Sequence, residues 1–144
     1  MDGTRQPPTV PVSVPALLLK QAQHGDAVYG PAFYELARGL AESYLATDPL
    51  YQRRAIANLS DGLAGLDASE SRAEWTTAFR YHLACAYHDA DAVDLAARAC
   101  LESLEIAKAT KSPRTHEQIG ELHARMMQRW PGDADVREVG EVLR

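Results

Sequence analysis

Cys85 and His88 stand three residues apart, so on a helix they share a face and offer a sulfur and an imidazole. Those are two of the three or four ligands that zinc needs, and no second pair at ligand spacing follows. His82 and His88, six apart, share a helix face poorly. His116 and His123, seven apart, share one well, and packing and surface roles suit them better than coordination. The carboxylate pairs Asp89 with Asp91 and Asp133 with Asp135 fall in turn-like segments, where capping and solvation explain them better than acid–base catalysis. Arg53-Arg54 and the i, i+4 pair Arg125 and Arg129 read as solvated helix faces, because acidic residues are interleaved throughout. A nucleophile elbow, a phosphate loop and a dinucleotide-binding glycine motif are all missing from the sequence. The expectation is a protein with no cofactor and no metal, and not an enzyme.

These side chains are carried by helices. Beyond Ala16, alanine dominates with leucine, arginine and glutamate beside it, all strong helix formers, and no period-2 run of β-branched residues appears. Helices are predicted over 16–24, 31–46, 49–65, 69–88, 92–110, 113–130 and 135–143. Pro31 fits a first helical turn, and Asp48-Pro49 and Ser112-Pro113 each pair a cap acceptor with a proline at N1. Asp67 with Glu70, and Asp135 with Glu138, have capping-box spacing. Short connections favour antiparallel hairpins. Residues 1–15 carry four prolines and read as a flexible or polyproline-like tail, leaving 16–144 as a single helical domain.

The chain has 144 residues, 46% hydrophobic and 24% charged, with a net charge of −5. One domain of this size covers its core without metals or disulfides. The acidic balance argues against nucleic acid and anionic membranes as direct partners, and no apolar run approaches a membrane span. Two cysteines, Cys85 and Cys100, make no disulfide framework, which fits a reducing cytoplasm. Cys100 reads as a small buried apolar side chain.

A pattern recurs along the chain. Leu40-Ala41-Glu42-Ser43-Tyr44 and Leu83-Ala84-Cys85-Ala86-Tyr87 share Leu-Ala-x-x-Tyr, and Ile119-Gly120-Glu121-Leu122-His123 is a weaker copy. A small residue beside a large aliphatic admits a second helix closely, and an aromatic one turn on fills the gap where the pair diverges. Ala96, Cys100, Ser103 and Leu104 continue the stripe on the following helix. This pattern resembles the tetratricopeptide repeat family. Residues 77–110 match through Leu83, Ala84, Tyr87, Ala96, Ser103 and Leu104, with Arg80 replacing the first aromatic and Lys108 the closing proline. Residues 34–67 match through Leu40, Ala41 and Tyr44 without the expected alanine on the second helix, and 113–143 through Ile119, Gly120 and His123. Residues 95–144 further resemble the end of the sensor domain of bacterial helix-turn-helix transcription regulators, through Ser103–Ala107, Ser112-Pro113-Arg114 and Val136-Arg137-Glu138. Those regulators carry an N-terminal DNA-binding domain, where this chain has its proline-rich segment.

The resemblance implies an all-α fold of stacked antiparallel hairpins, a short degenerate tetratricopeptide-like solenoid capped by 136–143. Val139, Val142 and Leu143 would face inward. It assigns the concave face to Glu35, Arg38 and Glu42, and to Ala78, Tyr81, Cys85 and His88. Tyr81 and His88 would offer an aromatic face with a switchable proton, and Arg38 a two-pronged carboxylate clamp. The expected function is a protein- or peptide-interaction or ligand-sensing module of a bacterial regulatory system, with a small molecule as a second ligand class. The alternatives are a small helical enzyme or accessory protein of a biosynthetic pathway using Tyr81, His88 and Arg38, or a self-associating module in which the Ala16, Leu17, Leu18 and Leu19 surface, or a solenoid end, packs against a second copy.

Overall fold

The computed structural model describes residues 30–45 and 48–144, and every element among them is a helix. The elements are α1 (Pro31–Ser43), α2 (Pro49–Ala64), α3 (Ala68–Ser71), α4 (Thr76–Asp89), α5 (Val93–Thr110), α6 (Pro113–Arg129) and α7 (Ala134–Leu143). The proline-rich segment, the expected helix over 16–24 and the Leu17–Leu19 patch lie outside the described residues. Among those described, no helix is long and apolar enough to cross a membrane. The chain divides between Gly65 and Leu66 into two compact units.

The first unit contains the hairpin of α1 and α2. Pro31 and Pro49 occupy first-turn positions, and the Asp48 side chain accepts from the Leu50 N–H at 2.8 Å. The pairs Glu42–Asn58, Gly39–Leu59 and Leu36–Gly62 touch in order, so the helices run antiparallel. Phe33, Leu36, Ala37 and Leu40 bury one face of α1 against Ala55 and Leu59 of α2. Arg53 is exposed, and Ala55 and Gly62 supply the small contacts.

The second unit contains α3 to α7. Its core joins Ala84 of α4, Ala96 and Cys100 of α5, Ile119, Leu122 and Met126 of α6, and Val136 and Val139 of α7. Tyr81, Cys85 and Tyr87 pack on this core from α4, and Leu83 is buried at 7% exposure. The helix pairs in contact are α4 with α5, α5 with α6 and α7, α6 with α7, and α4 with α6.

Three sequence expectations are corrected here. The helix expected over 69–88 is two helices separated at Arg72–Trp75. The Asp67–Glu70 capping box starts α3 as expected, with Asp67 accepting from the Glu70 N–H at 2.7 Å. The Ser71 carbonyl, which would accept the Trp75 N–H in a continuous helix, is instead taken by Arg80 Nη2 at 2.8 Å. The Thr76 hydroxyl donates to Ala73 O at 2.8 Å and Thr77 to Glu74 O at 2.7 Å, each joining its own backbone N–H, which reaches the same carbonyl at 3.0 Å in a tight i+3 turn. In α7 the cap is Asp133 rather than Asp135: its side chain accepts from the Asp135 and Val136 N–H groups. The inward stripe of α7 is Val136, Val139 and the half-buried Leu143, while Val142 is 48% exposed.

Ser112 departs from its expected role in another way. Its hydroxyl caps no N–H of α6. It donates to Thr115 Oγ1 at 3.1 Å, Thr115 donates to Thr77 Oγ1 at 3.0 Å, and Thr77 donates to Glu74 O. Three buried hydroxyls thus join the first turns of α4 and α6 in one relay.

Candidate functional site

Tyr81 and Cys85 lie one turn apart on α4, both half-buried, beside the exposed Arg125 of α6. Arg125 Nη2 donates to Cys85 Sγ at 3.6 Å. The Tyr81 phenol lies close enough to Cys85 and Glu121 to feel both electrostatically. Burial, with the neighbouring Cys85 second, pushes the Tyr81 phenol up to about 12. Burial also raises the Cys85 thiol, and Tyr81 and Arg125 offset this only in part. The cluster therefore holds a neutral phenol and a neutral thiol at neutral pH, with the Arg125 guanidinium and the Glu121 carboxylate beside them. Such a set can donate hydrogen bonds and pair with an anion, and its sulfur is no activated nucleophile. Cys100 is fully buried, its thiol raised to about 12 by burial first, and its Sγ lies 4.0 Å from Met126 Sδ. Both cysteines are free thiols.

His88, also read as a concave-face residue, is withdrawn from solvent at 9% exposure. Its Nδ1 lies 3.1 Å from Asp89 Oδ1, and its ring packs edge-on at 5.3 Å from the Trp130 ring. Nε2 has no hydrogen-bond partner among the described residues. The Arg125–Arg129 pair is exposed, as expected, and also reaches α4. Arg129 donates to the His88 carbonyl at 2.6 Å, pairs with Asp91 at 3.4 Å and stacks 5.2 Å from the Trp130 ring. Trp130 Nε1 donates to Asp91 Oδ1 at 3.3 Å. Asp91 adopts φ 63°, so the turn after α4 carries left-handed backbone tied down by these contacts.

The remaining residues separate. Ala78 is exposed. Glu35, Arg38 and Glu42 sit on α1 in the first unit, Arg38 exposed and Glu42 accepting from Asn58 Nδ2. Arg80 is buried at 8% and donates to Ser71 O, to Ser71 Oγ at 3.0 Å and to Glu102 Oε1 at 3.4 Å. His116 and His123 reach Leu143 O at 2.8 Å and Val136 O at 3.1 Å, so their seven-residue spacing matches that of their acceptors on antiparallel α7. Among the described residues no group of three or more His, Cys, Asp or Glu side chains is placed to hold a metal ion.

The residue missed in the sequence is Arg125. Its i, i+4 relation to Arg129 was visible, and only its apposition to Cys85, 40 positions earlier, marks it as part of a site. No protein-family model matches the chain, and comparison with the curated proteins and with the solved structures gave no match.

Proposed function

We propose that this chain is a non-enzymatic interaction module of a bacterial regulatory system, a degenerate tetratricopeptide-like stack that takes a partner peptide or helix on the α4–α6 face. One observation carries the reading. Thr77–Thr115, Cys85–Arg125, His88–Arg129 and Asp91–Trp130 pair at separations of 38 to 41, so α4 and α6 lie side by side and parallel. Parallel first helices of successive hairpins generate a shared face in stacked helical repeats. Tyr81 and Arg125 on that face suit a partner with an apolar ridge and a carboxylate: the ring supplies area and the guanidinium a charge-assisted hydrogen bond. A binding role is favoured over an enzymatic one because burial keeps Tyr81 and Cys85 protonated, leaving neither poised to move a proton near neutral pH. Arg38, exposed on α1, is a separate candidate contact within its own unit.

The test is selection of acidic amphipathic helical peptides from a displayed library by the full chain. Peptides so obtained should lose about tenfold or more in affinity to the Arg125→Glu variant, because like charges then oppose across the contact. Arg98→Glu, exposed on α5, should bind them as the parent does. Failure to select any peptide, or equal loss in both variants, rejects the α4–α6 face.

A further inference from the structure

The last turn of α5, the first turn of α6 and the end of α7 line a cleft of about 440 Å³. Leu104, Ala107 and Val142 make its apolar wall, and Lys108, Lys111 and Arg144 bring cations to it. None of its lining side chains is a carboxylate, in a chain where acids outnumber Lys and Arg 20 to 15. Among the described residues these three cations have no carboxylate partner within ion-pair distance, so their charge is available at the cleft. Lys111 holds left-handed backbone at φ 56°, a conformation glycine adopts more cheaply, so a cation occupies a position that backbone preference would give to another residue. The first-turn N–H groups of α6 lack a side-chain cap, which adds positive potential at this end. His116, also in the lining, donates from Nε2 to Leu143 O and holds the end of α7 against α6.

We propose that this cleft binds a small amphipathic anion: a carboxylate on a short acyl or aryl body, its head between Lys108 and Lys111 and its body against Val142 and the edges of Leu104 and Ala107. The volume lies in the range of small-molecule sites, roughly 300–1,000 Å³, and the lining joins an apolar wall to a few convergent polar groups. The geometry favours a small molecule over a bare inorganic anion because Val142, 48% exposed beside the lysines, would stay in water with a bare anion and be covered by an apolar body. This site shares no residue with the α4–α6 face, so the two readings stand or fall separately.

The experiment uses the full chain with octanoate as probe, octanol as its uncharged counterpart and inorganic phosphate as charge without a body. Octanoate should raise the unfolding midpoint and shift the Leu104 and Val142 methyl resonances saturably. Octanol and phosphate should each bind about ten times more weakly. The Lys108→Gln/Lys111→Gln double variant should also lose about tenfold in octanoate affinity, with its ligand-free unfolding midpoint unchanged. Should that variant fold poorly, Val142→Glu at an exposed position places a carboxylate at the cleft, and it should abolish octanoate binding. The proposal is overturned by any of these results: no saturable octanoate binding at millimolar concentration, phosphate binding as tightly as octanoate, octanol binding as tightly, or full octanoate affinity in the lysine double variant or in Val142→Glu.

Discussion

Leu36 of α1 occupies the notch left by the missing side chain of Gly62 on α2: a Cβ at Gly62 would stand 2.7 Å from the leucine Cγ and 3.0 Å from Ala32 O. The relationship is reciprocal, since a Cβ at Gly39 on α1 would stand 2.8 Å from Cγ of Leu59 on α2. Each helix supplies a glycine for the other's leucine, and both leucines are fully buried. Helix axes can approach closely where a glycine faces the partner, and neither leucine has room to swing aside.

Gly62→Ala should therefore destabilise the first hairpin, although alanine is the better helix former. The propensity gain is about 1 kcal/mol and overpacking costs about 1–3 kcal/mol, for a net loss of up to about 2 kcal/mol. Gly120→Ala in α6, where nothing lies within 4 Å of the added carbon, should stabilise by about 0.5–1 kcal/mol. Urea unfolding followed by helical circular dichroism measures both. A common sign for the two substitutions would refute the notch.

Arg80 should matter through its hydrogen bonds more than through its ion pair. Burial lowers its pKa, while the nearby Glu102 carboxylate acts the other way. Arg80→Met removes the donors to Ser71 O and Ser71 Oγ and should cost about 1–3 kcal/mol. Glu102→Gln should stay within about 0.5 kcal/mol, because the carboxylate is mostly exposed. Arg72→Ala should be equally mild, since both partners of the Arg72–Glu105 pair are about two-thirds exposed. If Glu102→Gln equals Arg80→Met in cost, the ion pair dominates and the assignment is wrong.

The relay from Ser112 through Thr115 to Thr77 predicts non-additivity. Thr115→Val leaves the buried Ser112 hydroxyl without its acceptor and should cost about 1–3 kcal/mol. Thr77→Val breaks the same chain one link on. The double variant should cost less than the two singles together by about 0.5 kcal/mol or more. Simple additivity in chemical denaturation would show that the hydroxyls act independently.

His82 gives a pH signature. Burial lowers its pKa from the ordinary 6.5, so between that lowered value and 6.5 the unfolded chain binds more protons than the folded one. Stability then rises with pH through this window and levels off above about 6.5. The unfolding midpoint should accordingly fall as the pH drops below 6.5. His82→Gln should flatten that slope, and an unchanged slope would show that another group is responsible.

Much of the helical skeleton was legible because its signals are local. Proline at N1, the Asp48 cap and the Asp67–Glu70 box act over two or three residues, and each stands where the chemistry places it. The break at Arg72–Trp75 was not legible. Helix-forming residues run straight through it, and it exists because Arg80, nine positions later, takes the Ser71 carbonyl. Tyr81 and Cys85 were readable as neighbours on one helix face. His88 was read on that face too, and Trp130 from another helix covers it. Val142 was expected inward because it extends an apolar stripe, yet Val136 and Val139 set the buried face of α7 and Val142 lies off it.

Residue type and short-range spacing by themselves determined that the chain is helical, where most of its helices start, and which small and apolar residues could lie against a partner helix. Only the tertiary structure decided that Arg125 meets Cys85, that three hydroxyls on two helices form one relay, and that unpaired lysines share a cleft with Val142. The physical reason is range. Capping and periodicity act within a turn or two of the chain, whereas these contacts join positions more than thirty residues apart, and only the packing of whole helices brings them together.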